Sequence, residues 1–198
     1  ALTTGSDGSI YIAGYGWSDL NGQTNNGLID AFISKFNPDG TKVWTRLIGS
    51  ANDELGNALT TGSDGSIYIA GVTDGNLDGQ TNNGNDDVFI SKFNPDGIKE
   101  WTRLLGSSGE DHGKALTTGS DGSIYITGGS KGNLGGQTNS GNIDAFISKF
   151  STVNSTAQTL SDLEAYNYIA SNNDLISAFG VDIEAAKSHY ENYGESQG

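Results

Sequence analysis

Cysteine is absent from this chain of 198 residues, so no disulfide holds it and no thiol chemistry is available. Long apolar runs are absent too. None approaches the ~18–20 residues of a membrane-spanning helix, and none reads as a signal peptide. Positive charge is scarce: ten lysines and arginines stand against 24 aspartates and glutamates, a net charge of −14. Nucleic acid needs the opposite field, which excludes it as a partner. An acidic surface suits solubility in salty surroundings, or divalent cations as partners.

What the chain does have is repetition. The string "ALTTGSDGSIYI" begins at Ala1, Ala58 and Ala115, so the period is 58 − 1 = 57 and again 115 − 58 = 57. No insertion or deletion separates the copies. The 30 glycines fall largely at fixed positions of each unit, as turn punctuation rather than flexible linker. Each unit of the array (residues 1–57, 58–114 and 115–150) reads as four short strands. In the first copy these are "ALTTG", "SIYIAG", "DAFISKF" and "TKVWTRLIG". The "NPDG" between the last two is a turn, with Pro38 presetting φ and Gly40 supplying the left-handed position.

Four strands joined this way make one antiparallel sheet with two faces and no partner. Stacked copies bury both faces, which is why such units come in arrays. Radial stacking gives a β-propeller, typically of four to eight blades. Phe32, Phe36, Trp44, Leu47, Ile48 and their copies are the expected blade-to-blade core. The fold class is therefore all-β: three four-stranded propeller blades, the last one incomplete, plus a small α-helical C-terminal segment. The third copy loses its pattern after Phe150, where "STVNSTAQTL" replaces "NPDGTKVWTRLI". Residues 151–160 are expected to be a linker or a degenerate strand.

The runs "GSSGEDHGKALTTGSDGSIYITGGS", "GNIDAFISKF" and "NPDGTKVWTRLIGS" resemble the bacterial β-propeller repeat called the SBBP repeat. The resemblance covers nearly all of residues 1–150. It implies a propeller in large secreted or surface proteins of bacteria, usually without assigned catalysis. Residues 161–198 read as helical. Ser161 and Glu164 form a capping box, and Leu163, Tyr166 and Ile169 share a face. The string "YIASNNDLISAFGVDIEAAKSHYENYG" looks like a short helical module of secreted bacterial proteins.

The sharpest chemical motif is "DGNLDG" at 74–79. Asp74, Asn76 and Asp78 alternate and Gly79 follows, as in the opening of a calcium loop. The bidentate glutamate expected at position twelve is replaced by Asn85. Calcium is thus a candidate ion at Asp74, Asn76 and Asp78. The equivalent loops differ between copies: "YGWSDLN", "VTDGNLD" and "GSKGNLG". In a propeller such loops gather on one face and make a recognition surface. Tyr15, Trp17, Asp19 and Asn21 are the candidate ligand-binding residues, the two rings being suited to stacking on a sugar.

The pairs Asp53–Glu54 and Glu110–Asp111 read as solvated hairpin carboxylates, and His112 has no obvious partner. "GEDHGKA" at 109–115 lacks the spacer and the hydroxyl residue of a phosphate loop. No catalytic residue is assigned. The leading expectation is a non-enzymatic structural or interaction module, extracellular or on the cell surface. A lectin-like propeller and a hydrolase with a channel carboxylate are the alternatives. Three units make half of a six-bladed ring. The expected partner is therefore a second copy of the chain, or upstream blades of a longer parent, with a glycan or surface protein as a further candidate.

Overall fold

Alternation of apolar and polar residues in short runs, broken by glycine turns, produces eleven strands in the computed structural model. The model describes residues 1–150. The expected linker (151–160) and helical module (161–198) lie outside the described residues. Three antiparallel sheets follow one another, each with its strands in chain order. The first holds β1 (Leu2–Thr4), β2 (Ile10–Gly16), β3 (Asp30–Phe36) and β4 (Lys42–Ile48). The second holds β5 (Glu54–Thr61), β6 (Ile67–Thr73), β7 (Asp87–Phe93) and β8 (Lys99–Leu105). The third holds β9 (Asp111–Thr118), β10 (Ile124–Ser130) and β11 (Asp144–Phe150). Register repeats from sheet to sheet: Ala13 faces Ile33, Ala70 faces Ile90, and Thr127 faces Ile147. This is the all-β arrangement of propeller blades with four, four and three strands.

The innermost strands begin earlier than their sequence suggests. "GSANDELGN" reads as a loop, yet Glu54–Asn57 already belong to β5, and Asp111–Lys114 to β9. A bulge beside Ala58 and another beside Ala115 absorb one extra residue each, which blurs the period of two.

Side chains of a strand point alternately to its two faces, so the middle sheet contributes to two cores. Ile67, Ile69, Phe89 and Phe93 pack with Tyr11, Ala31, Ile33 and Ile48 of the first sheet. Tyr68, Ala70, Val88 and Ile90 pack with Ile124 and Ile126 of the third. Every residue of β6 and β7 is buried as a result. The expected core divides accordingly. Ile48 is buried and Trp44 packs against the first core. Phe32, Phe36 and Leu47 are only half-buried, because they lie on the face of the first sheet that meets no other sheet. Their copies Phe89, Phe93 and Leu104 do enter the core.

Polar contacts tie the sheets along both edge strands. On the inner strands, Thr61 Oγ1 donates to Thr4 O at 3.1 Å and Thr118 Oγ1 to Thr61 O at 3.2 Å. On the outer strands, Trp44 reaches the "NPDG" turn of the next sheet. Its indole N–H donates to Pro95 O at 3.3 Å, and Arg46 Nε donates to Gly97 O at 2.8 Å. Gly97 has φ +76, and a Cβ there would lie 2.8 Å from the Trp44 ring. Gly40, its copy in the first sheet, has φ +84 and open space around it.

This pair of glycines separates backbone strain from packing. Gly40→Ala is expected to lose about 1–2 kcal/mol, the cost of a left-handed alanine. Gly97→Ala should lose at least ~1 kcal/mol more, because the indole must also shift. Equilibrium urea unfolding of both variants measures the difference, and equal losses would show that ring and turn do not pack.

Candidate functional site

One rim of the sheets carries both the variable β2–β3 type loops and the connections between sheets. The loops share a scaffold. Asp19, Asn76 and Asn133 use a side-chain oxygen to accept the N–H of Asn25, Asn82 and Asn139, each at 2.9 Å. A two-residue hairpin turn then sits between Leu20 and Gln23, Leu77 and Gln80, and Leu134 and Gln137. Both turn positions have positive φ: Asn21 and Gly22, Asp78 and Gly79, Gly135 and Gly136. Asn-Gly, Asp-Gly and Gly-Gly are the pairs such a turn selects.

The calcium candidates therefore have other engagements. Asp74 Oδ1 accepts the Asp53 N–H at 2.7 Å. Asn76 accepts within its own loop. Asp78 receives Lys99 Nζ at 2.5 Å and Thr102 Oγ1 at 2.5 Å. In the first loop Asn21 occupies the same turn position as Asp78, donates to Thr45 Oγ1 at 3.0 Å and accepts from Lys42. Tyr15 and Trp17 stand out from it, 43% and 66% exposed, as an edge-to-face pair with centroids 5.5 Å apart. Asp19 and Asn21 thus shape the loop, while the two rings face outward.

Beneath the loops lie four carboxylic acids with no solvent exposure: Asp30, Glu54, Asp87 and Asp111. The reading of Glu54 and Asp111 as solvated is corrected here; only Asp53 and Glu110 of the two pairs stay at the surface. Asp30 begins β3 and Glu54 begins β5, so the two acids interact across the seam between the first and second sheets. Asp87 and Asp111 repeat this between the second and third. Space for the aspartates comes from Gly49 and Gly106. A Cβ on either would fall within 2.3 Å of the Asp30 or Asp87 carboxylate.

Glu54 is well supplied with donors: the Ser50 N–H and hydroxyl and the Thr73 hydroxyl, all at 2.7 Å. Burial nevertheless pushes its acidity weaker than an ordinary glutamate, with Asp30 adding repulsion. Asp87 is likewise pushed up, by burial first and then by the Asp111 charge, against one N–H from Asn83. At the rim of the same seam His112 does have a partner: its Nε2 lies 2.8 Å from Asp86 Oδ2. Lys131 Nζ holds Glu110 Oε2 at 2.5 Å, which lowers the Glu110 carboxyl. Asp86, Glu110 and His112 bring ligand-type atoms within 4.8 Å of one another.

The Glu54 geometry fixes a pH response. The folded chain binds this proton more tightly than the unfolded chain, whose glutamate titrates near 4.5. Its stabilising effect is full below that value and is lost as pH rises through the folded one. Glu54→Gln removes the titration. The unfolding free energy of the unaltered chain minus that of the variant should therefore fall as pH rises from about 4.5 towards neutrality. A constant difference in denaturant titrations across that range would refute the assignment.

A match to a known repeat family agrees with this architecture. Residues 43–78, from the outer strand of the first sheet into the second loop, match the family described as "Beta-propeller repeat", SBBP. The regulatory protein FlaEY of Caulobacter vibrioides is 35% identical over 169 residues, covering 75% of this chain and 17% of FlaEY. A WD repeat-containing protein, L264, of Acanthamoeba polyphaga mimivirus is 25% identical over 211 residues, covering 85% of this chain and 14% of its own length. The chain thus spans no more than about a sixth of either relative. Among solved structures, the Hadza microbial sialidase Hz136 superposes with a TM-score of 0.48 at 15% identity, over 76% of this chain and 34% of that one. The match to the SBBP β-propeller repeat thus rests on residues 43–78.

Proposed function

We propose that this chain is a non-enzymatic interaction module of a secreted or cell-surface bacterial protein, and that its apolar end faces receive further blades of the same kind. The observation that carries the reading is one repeated residue. Ile33 is 0% exposed and Ile90 is 1% exposed, each covered by the following sheet, whereas Ile147 is 74% exposed. Ala145 beside it is exposed too, while its copies Ala31 and Val88 are buried. At the other end Leu2 is 66% exposed, against 8% for its copy Leu59. Each large apolar side chain of this kind contributes ~1.5–3 kcal/mol when removed from water. An occupant with the chemistry of the first sheet fits the face of the third.

A second copy of the chain supplies such an occupant and completes a six-bladed ring. Light scattering at micromolar concentration is expected to give twice the chain mass of 20.6 kDa. Ile147→Asp, which places a charge on that face, should return the chain to monomers of unchanged circular dichroism. A monomer for the unaltered chain removes the paired ring and leaves further blades of a longer parent as the occupant.

A lectin-like role is the second reading, supported by the exposed Tyr15–Trp17 pair on the loop rim. Exposed aromatic faces suit the apolar side of a sugar ring. In this reading a glycan array gives binding that Trp17→Ala abolishes, and a flat array removes it.

A further inference from the structure

Four carboxylates meet at the seam between the second and third sheets, and they are not balanced alike. The outer two have cationic or proton-bearing partners: Glu110 holds Lys131, and Asp86 holds His112. The inner two, Asp87 and Asp111, have none. Among the described residues, no lysine, arginine or histidine forms an ion pair with either. Both are fully buried.

Their hydrogen bonds are one-sided. Asp87 Oδ2 accepts the Asn83 N–H at 3.0 Å. Asp111 Oδ2 accepts the Ser107 N–H at 2.6 Å and the Ser107 hydroxyl at 2.7 Å. The Oδ1 atom of each is buried with no partner at all. Two like charges held in a dry seam without a counter-charge carry a penalty of several kcal/mol per ion. The companion seam relieves this differently. There Glu54, one methylene longer than Asp111, places Oε1 on both Ser50 Oγ and Thr73 Oγ1 and Oε2 on the Ser50 N–H, so both of its oxygens are used. In the second seam Ser130 replaces Thr73, and its hydroxyl donates to Gly132 O at 2.9 Å instead. In the companion seam Asp30 Oδ1 is buried without a partner as well, so the substitutions of Asp for Glu and Ser for Thr add a second free oxygen, and only the seam of Asp87 and Asp111 has one on each side.

We propose that Asp87 and Asp111 bind one calcium ion through their two free Oδ1 oxygens, clamping the second sheet to the third. The donors are hard carboxylate oxygens, which suit calcium or magnesium rather than softer metals. Calcium is favoured because its ligand number and geometry are adaptable, so that water can complete a shell the two carboxylate oxygens begin, whereas magnesium demands a near-ideal octahedron. The ion neutralises both buried charges at once. It also has a mechanical consequence. The two ligands start β7 and β9, so the metal joins separate sheets at the base of the loop rim.

Isothermal titration of calcium chloride into the chelator-treated chain tests this directly. One ion per chain is expected, at a dissociation constant no weaker than about 1 mM, with magnesium at least about tenfold weaker. Calcium should also raise Tm relative to chelator, since it binds only the folded seam. Asp111→Asn keeps the acceptor for Ser107 and should abolish the binding heat, as should Asp87→Asn. Glu110→Gln and Asp78→Asn, which change the rim cluster and the turn, should leave it within about threefold. No heat on the unaltered chain, with equal Tm in calcium and chelator, overturns the proposal even if the seam variants fail to fold. Binding lost in Glu110→Gln or Asp78→Asn but kept in Asp87→Asn overturns it as well.

Discussion

Covering the two faces of a single four-stranded sheet is the constraint from which the rest of the structure follows. A sheet with alternating side chains has an apolar residue for each face and no material of its own to cover either. The middle sheet has its answer in its neighbours: all fourteen residues of β6 and β7 are buried, those of one parity against the first sheet and those of the other against the third. The same amino acids at the array's ends lack that cover. Ile33, Ile90 and Ile147 are chemically identical and locally identical in register, yet their exposures span 0% to 74%. Position in the array, rather than strand chemistry, decides what each contributes.

Stacking also creates an electrostatic problem at the seams. Residues that start β3 and β7 must meet residues that start β5 and β9, and in this acidic chain all four are carboxylic acids. Gly49 and Gly106 make room for the aspartates, while serines in the connecting loops donate to the acids of the next sheet. The two seams are built to one plan but differ in how far their charges are satisfied. In the first seam Glu54 has both oxygens matched by three donors and only Asp30 keeps one unmatched, while in the second Asp87 and Asp111 each do. Differences of one methylene and one methyl between copies thus change the chemistry of otherwise equivalent junctions.

The rim loops show the opposite balance between constancy and variation. Their internal hydrogen bonds and positive-φ turns are the same three times over. What changes is the side chain carried outward at one equivalent position: Trp17, Asp74 and Lys131. Trp17 meets Tyr15 edge-to-face, Asp74 caps the Asp53 N–H, and Lys131 pairs with Glu110. A constant scaffold thus carries a different outward group in each copy.

Much of this was legible in the sequence. The period of 57, the alternating "DAFISKF" runs and the "NPDG" turns determined three antiparallel sheets stacked in order, because periodicity and turn chemistry act locally. Trp44 and Ile48 were rightly placed in a core. Phe32, Phe36 and Leu47 were not, because strand alternation assigns a residue to a face but cannot say whether another sheet lies on it. The Asp preceding each "AFISKF" or "VFISKF" run recurs at every period, a signal strong enough to single it out. Its burial, however, depends on a glycine 19 residues further on: Asp30 with Gly49, and Asp87 with Gly106. Glu54 and Asp111 looked solvated because they follow turn residues, and His112 looked alone because Asp86 lies 26 residues away. Sequence determined which strands form and in what order. Only the tertiary structure decided which acids lose their water, because burial and pairing across a seam are set by the sheet that arrives on the other side.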